Sequence, residues 1–333
     1  MMHFPTRRTV LGAASAVALL ALTACGNVAA GSTSSAKFPS GPVNLTVGQA
    51  AGGSTDLIAR AISEGAAKTL GAPMPVVNKP GANGALATKE VAGKPADGQN
   101  LVLVTASLIT ITPLAVTPDE TVNIDDLDII AGLSQDDYVL VASKASGLNT
   151  IKELTGAGRN ITFGTTGVGT GSQLAQKVLF KQANVQGTDV PFDSGKPALT
   201  AVLGNQVEVS TIQLGEAMPQ IQAGKVTPLL VFSEERNSFL PDVPTAKESG
   251  YDVPVAQYRA VAAPKGTPQD VKDKLLAAIQ ETFKTESYKE FNKKNMLTPK
   301  EISGAEVVTQ WKDYAAKYKS LVEKYDISLS GTK

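Results

Sequence analysis

The sequence predicts an α/β protein in two lobes, each a largely parallel sheet flanked by helices. Short Val/Ile/Leu runs alternate with helical segments along the chain, the pattern of strands joined through crossover helices. Roughly 300 residues follow the N-terminal segment, more than one core comfortably serves. A strand, a glycine turn and a helix also occur in succession twice, far apart, which places one such device in each lobe.

Residues 1–24 carry Arg7 and Arg8, an uncharged stretch from Val10 to Leu22, and then Leu22-Thr23-Ala24-Cys25-Gly26. The positive end, short apolar core and small residues before a cut site predict a secretory signal; the apolar stretch is short for a membrane span. Leu-Thr-Ala-Cys resembles a bacterial lipobox, so Cys25, the chain's single cysteine, is the expected lipidation site. Several acyl chains on one residue hold a protein to a bilayer where one chain does so poorly. Thr6-Arg7-Arg8-Thr9-Val10-Leu11 also looks like a twin-arginine signal, and export by that route or by general secretion both remain open. Residues 25–37, small and polar after Cys25, read as a flexible tether. The expected location is outside the cytoplasm, anchored to the outer face of the cell membrane, or periplasmic.

Losing residues 1–24 removes both signal arginines and the only histidine, His3, leaving 29 basic against 31 acidic residues. Nothing then steers the chain towards nucleic acid. Without His or a second Cys, histidine-based triads, Cys/His nucleophiles and ordinary zinc sites are excluded, and no metal or other cofactor is expected.

The first device spans Asn44 to Leu70. Val43, Leu45 and Val47 form a short strand that breaks at Ala50-Ala51-Gly52-Gly53-Ser54-Thr55-Asp56; Leu57, Ile58, Ala61, Ile62, Ala66 and Leu70 recur at helical spacing, and Gly71 ends the helix. The second runs from the strand Asn160–Phe163 through Gly164-Thr165-Thr166-Gly167-Val168-Gly169-Thr170-Gly171-Ser172 into a helix carrying Leu174, Ala175, Val178, Leu179 and Ala183. Glycines admit a ligand close to the backbone, and the first helical turn leaves N–H groups without internal partners, so each turn suits an anion. Neither carries the Lys of a Walker loop, so triphosphate chemistry is not expected.

Further strands are expected at 101–104, 139–142, 188–191, 207–211, 228–232 and 258–262. The tail is helical: Val271, Leu275, Leu276, Ile279 and Phe283 form one stripe, and Val307, Trp311, Tyr314, Tyr318, Leu321 and Tyr325 another, which is expected to pack on the sheet.

These segments carry a family resemblance. Phe38-Pro39-Ser40, the Ala-Gly-Gly-Ser-Thr-Asp turn, Val77-Asn78-Lys79-Pro80-Gly81-Ala82-Asn83-Gly84, Pro95-Ala96-Asp97-Gly98, Val190-Pro191-Phe192, Pro197-Ala198-Leu199, Ala223-Gly224-Lys225, Leu240-Pro241-Asp242-Val243-Pro244-Thr245 and Ala263-Pro264-Lys265-Gly266-Thr267-Pro268 are similar, in this order, to the tripartite tricarboxylate transporter substrate-binding proteins, the Bug or TctC family. The likeness covers essentially the whole chain after the signal. It implies a type II periplasmic-binding-protein-like fold that closes around its ligand, with 38–137 and 252–333 as lobe 1 and 138–251 as lobe 2, the crossings falling near 138–143 and 251–259. It also implies a partner permease of one large and one small membrane subunit, and a monomeric receptor. No reaction is performed on the ligand; a sensory role towards a signalling partner is the alternative use.

The resemblance makes the two turns a pair of pincers on a carboxylate. Gly52 and Gly53 allow close approach, Ser54 and Thr55 supply N–H and hydroxyl donors, and Asp56 caps the helix or meets the ligand. Thr165, Thr166, Gly167, Gly169, Thr170, Gly171 and Ser172 are the matching donors, and Thr105, Ala106 and Ser107 a third contact. Phe192-Asp193-Ser194-Gly195 departs from the pattern with an acid where a base is common, and Gln213 stands where an acid or Asn is frequent. Leu45-Thr46-Val47-Gly48-Gln49 lacks the usual Pro and aromatic. Asp193 pairing with a cationic group widens the expected ligands from di- or tricarboxylates to aromatic acids and acidic amino acids.

Other classes fit less well. Gly167-Val168-Gly169 opens a dinucleotide fingerprint, but its third glycine position falls on Ser172. A hydrolase built on Ser172 has no histidine base, and a pure scaffold leaves the paired glycine turns unexplained.

Overall fold

In the computed structural model, which describes residues 37–330, the apolar start of the chain folds as β1 (Asn44–Val47), three of whose four residues are buried. The expected signal, tether and Cys25 lie outside the described residues, apart from Lys37. Helix α1 (Ser54–Leu70) follows and stops at Gly71, which takes the left-handed conformation (φ 66°) that a β-carbon would oppose. Next come β2 (Val76–Asn78), α2 (Ala85–Ala92), β3 (Asn100–Thr105) and α3 (Ala106–Thr110). The long strand β4 (Leu127–Ser143) leads to α4 (Ile151–Thr155), β5 (Ile161–Thr165), α5 (Gly171–Gln182), β6 (Gly187–Pro191), α6 (Gly195–Leu203), β7 (Val209–Gln213), α7 (Leu214–Gln222) and β8 (Val226–Val231). The chain closes with β9 (Ala256–Pro264), α8 (Gln269–Lys284), α9 (Glu286–Lys294), β10 (Thr298–Pro299) and α10 (Gly304–Lys324).

The strands form one hydrogen-bonded path, β2-β1-β3-β9-β4-β7-β5-β6, with β8 and β10 added on β4. Strand β4 is its spine. From Leu127 to Asp137 it pairs antiparallel with β9; from Tyr138 onward it pairs with β7 and β8. Parallel pairing holds where helices cross over, between β1, β2 and β3 and between β5, β6 and β7. It gives way to antiparallel pairing along β4 and β9, the strands that run from one lobe to the other.

Each lobe has its own apolar core. Leu45, Ile58, Ile62, Leu103, Val261, Leu275 and Ile279 pack between the first part of the sheet, α1 and α8. Leu140, Phe163, Val178, Leu179 and Phe232 pack around the second part. Helix α10 reaches both lobes: Val307 and Trp311 pack with Val104 and Ala260 in a further cluster on the other face of the first lobe's sheet, whereas Tyr318 and Leu321 pack with Val178 and Phe232. Its aromatic stripe therefore faces protein, with Trp311 1% and Tyr318 3% exposed.

Candidate functional site

The residues after β1, β3, β5, β6 and β7 converge on one cleft of about 630 Å³. This is where open α/β sheets bind ligands, beyond the carboxyl ends of their strands.

On one side lies the turn before α1. Its first intrahelical bond runs from the Leu57 N–H to the Gly53 carbonyl, so the N–H groups of residues 54–56 point out of the helix. Asp56 braces this turn from behind. Its carboxylate accepts the Gly52 N–H at 2.9 Å, Asn78 Nδ2 at 2.9 Å and a two-pronged contact from Arg60 at 2.9 and 3.0 Å. Burial pushes the Asp56 carboxyl up, but these donors outweigh it and hold the group below its ordinary range. Asp56 is 2% exposed and is not part of the cleft wall.

Beneath the turn sits a buried ion pair. Arg259 on β9, fully buried, reaches Asp136 on β4 at 2.5 Å and donates to Thr55 Oγ1 at 2.9 Å and Ser54 Oγ at 3.1 Å; Ser54 Oγ in turn donates to Asp136 at 2.7 Å. The two hydroxyls are thus committed to the floor. Next along β4, burial raises the Asp137 carboxyl, though Asn237 Nδ2 donates to it at 2.8 Å.

Across the cleft, Thr170 caps α5 by accepting the Gln173 N–H, and Gln173 Oε1 accepts the Gly169 N–H at 2.9 Å. Ser172 Oγ accepts the Thr166 N–H at 2.9 Å, and Thr165 Oγ1 donates to Asp189 at 3.2 Å. Gly169 has φ +69°, and a β-carbon there would stand 2.9 Å from Thr112 Cα. Only glycine brings this loop so near the other lobe.

The lobes touch at both turns. The Gly169 carbonyl accepts Thr112 Oγ1 at 3.1 Å and Asn83 Nδ2 at 3.4 Å, and Glu216, near the start of α7, accepts the Ser54 N–H at 2.9 Å. The protein's own carboxylate thus occupies an outward N–H of α1. Burial raises the Glu216 carboxyl, against the opposing pull of the Ser54 N–H and Arg259.

Of the residues expected from sequence, Gly53, Ser54, Thr55, Thr105, Thr166, Gly167, Thr170 and Asp193 line this cleft. Gly52 instead lines an adjoining cavity of about 390 Å³. Ala106, Ser107, Thr165, Gly169, Gly171 and Ser172 stand behind the wall. Ser107 Oγ accepts Asn83 Nδ2 at 3.1 Å and Gln257 Nε2 at 3.3 Å; Gly171 lies where a β-carbon would come 2.9 Å from the Tyr138 ring; Ala106 is buried in the first lobe. Glu216, Gln257, Thr112 and Glu120 also line the cleft, and sequence reasoning missed them. The strand expected at 207–211 offered a signal for Glu216, since residues just past a strand's carboxyl end face the ligand in this architecture. Among the described residues no Lys, Arg or His lines the cleft, whereas Glu120, Asp193 and Glu216 do. Among the described residues no three acidic, His or Cys side chains gather as a metal site.

Two α/β lobes joined by crossing strands, with helix N-termini facing each other over a cleft, define a periplasmic-binding-protein fold. The chain belongs to the TctC family: the model of the tripartite tricarboxylate transporter family receptor matches residues 58–327. It is 28% identical over 334 residues to a UPF0065 protein of Cupriavidus necator, covering 98% of each chain. Among solved structures it is similar to the periplasmic binding protein BugD, at 29% identity and TM-score 0.81 over 88% of this chain and 100% of that one. It is also similar to MatC of Rhodopseudomonas palustris with bound malate, at 28% identity and TM-score 0.79 over 86% of this chain and 100% of the other.

Proposed function

We propose that this chain is an exported solute-binding lipoprotein that captures a small carboxylate between its lobes and hands it to a two-subunit membrane permease. The observation that carries the reading is the pair of glycine turns, each opening a helix and each from a different lobe, on opposite walls of one cleft. Family membership and the malate bound by MatC support it. The outward N–H groups of Ser54 and Thr55 and, across the cleft, those of Gly167, Val168 and Thr170 are the carboxylate donors, with Thr105 as a third contact. Glu216 holds the Ser54 N–H until a ligand replaces it. Ligand binding stabilises the closed arrangement, and the protein carries out no reaction. Residues 38–137 with 252–333, and 138–251, are the lobes. The receptor acts as a monomer tethered through acylated Cys25.

Thermal melting against mono-, di- and tricarboxylates, aromatic acids and acidic amino acids tests this reading. A binder present at a hundredfold excess over its Kd stabilises by about 2.7 kcal/mol. A shift confined to carboxylates is expected. If none shifts the melt and mass spectrometry of the denatured protein finds no co-purified acid, the reading fails. For the anchor, Cys25→Ser should release the protein from the membrane fraction.

A further inference from the structure

We propose that the cavity beside the cleft is a second binding site, which takes an uncharged, largely apolar molecule with a hydrogen-bond donor and holds it against both lobes. The cavity measures about 390 Å³, inside the range of roughly 300–1,000 Å³ typical of small-molecule sites. Its apolar walls come from two directions. Leu57, Phe291 and Leu297 belong to the first lobe, and Leu199, Leu203 and Pro219 to the second. Leu199 and Leu297 are buried, whereas Leu57 is 37% and Leu203 41% exposed. Only five large apolar side chains stand exposed among the described residues, and two of them line this one cavity from opposite lobes. That is a concentration of apolar surface rather than scatter.

Two contacts between the lobes set the spacing of these walls. Glu216 accepts the Ser54 N–H at 2.9 Å, and both residues stand between this cavity and the cleft, lining each. Elsewhere on the wall, Gly215 lies so close to the Asn295 carbonyl that a β-carbon there would overlap it. The space is therefore shaped by the meeting of the lobes, and a molecule in it touches both.

The polar groups on the wall define the occupant. Its two charged residues, Lys196 and Glu216, are of opposite sign. Burial raises the Glu216 carboxyl, and the Lys196 charge opposes that rise, so the two act on each other. An ion entering this space would lose its water without gaining an unopposed partner. Pro219, inside α7, lacks the N–H that a helix would offer the Gly215 carbonyl, and both residues line the cavity. That carbonyl, released from its helical bond, is an acceptor for a donor on the occupant. Such a wall suits neither a di- nor a tricarboxylate, which separates the site from the cleft.

Fluorescence titration tests this on the full chain carrying Cys25→Ser, which keeps lipid and detergent out of the measurement. The probe is N-phenyl-1-naphthylamine, apolar and uncharged with one N–H; a sulfonated derivative adds a charge, and an N-methyl derivative removes the donor. The parent probe should saturate at one per chain, and both derivatives should bind about tenfold weaker. Leu57→Glu and Leu203→Glu, both exposed and neither lining the cleft, should each weaken the parent probe more than about tenfold. No saturable binding, or binding untouched by both substitutions, overturns the site. Loss with only one of them puts the probe on a single lobe and overturns the bridging arrangement. A derivative that binds as well as the parent probe overturns the occupant's class. All of these results leave the carboxylate reading to the melting panel, so the two fail separately.

Discussion

The two turns that face each other across the cleft are built from different materials. The turn before α1 rests on charge: Asp56 with Arg60 behind it and Asp136 with Arg259 beneath it. The turn before α5 is held mainly by hydroxyl and amide groups, with Asp189 accepting from both Thr165 and Gln173 and pairing with Lys177 at 3.2 Å. The first is stiffened by ionic groups that cannot move without leaving buried charge. The second turns through glycines at φ +125° and +69°, and its Gly169 carbonyl accepts Thr112 Oγ1 and Asn83 Nδ2 from the opposite lobe. One jaw, the anvil, is thus braced by paired charges, and the other is fitted to the opposite lobe by glycines and hydrogen-bonding amides and hydroxyls.

Removing the charge under the anvil should give the largest effect. Arg259→Met leaves Asp136 buried and unpaired, and should cost about 3–5 kcal/mol of unfolding free energy by denaturant titration. A loss under about 1 kcal/mol would remove the distinction between the jaws.

Gly169→Val should fold but bind poorly. A β-carbon there meets Thr112, and a β-branched residue opposes φ +69°, so the lobes cannot approach; binding of any carboxylate ligand should weaken about a hundredfold in titration. A smaller substitution at the first jaw is milder: the β-carbon of Gly53→Ala meets its nearest neighbours at 3.6 Å, so about tenfold or less is expected.

The smallest effect is pH-dependent. Asp56 is held below the ordinary aspartate value of about 3.9, so its contribution is present above that pH and is lost as pH falls through its native value. Asp56→Asn should therefore cost about 1–2 kcal/mol at pH 7, and the gap from the parent should close in acid. A gap unchanged down to pH 2 would mean that the carboxylate's charge does not brace the turn.

Much of this organisation was legible in the sequence, because local signals carried it. The α1 stop at Gly71, the two turns and the strand positions follow from periodicity and glycine placement. Strand β4 was visible only at 139–142, because its earlier part holds Asp128, Ser134, Asp136 and Asp137, which break an apolar pattern. Asp136 and Asp137 are compensated by Arg259 and Asn237, and Asp128 by Lys265 and the Gly266 and Thr267 N–H groups, all far along the chain. Glu216 escaped for a related reason: its partner, the Ser54 N–H, belongs to the other lobe. Asp56 was visible as a residue but not in its direction, since which way a carboxylate turns at a helix start depends on Arg60 and Asn78 together.

Helix α10, anchored by Trp311 in one core and by Tyr318 in the other, has a mechanical consequence. The anchors lie on one rigid rod about 10 Å apart, at 1.5 Å per residue. A clamshell riveted across its joint has little travel: the halves can twist about the rivet line, but a wide gape would tear one rivet out. Opening the lobes widely would therefore have to break the packing of α10 at Trp311 or at Tyr318.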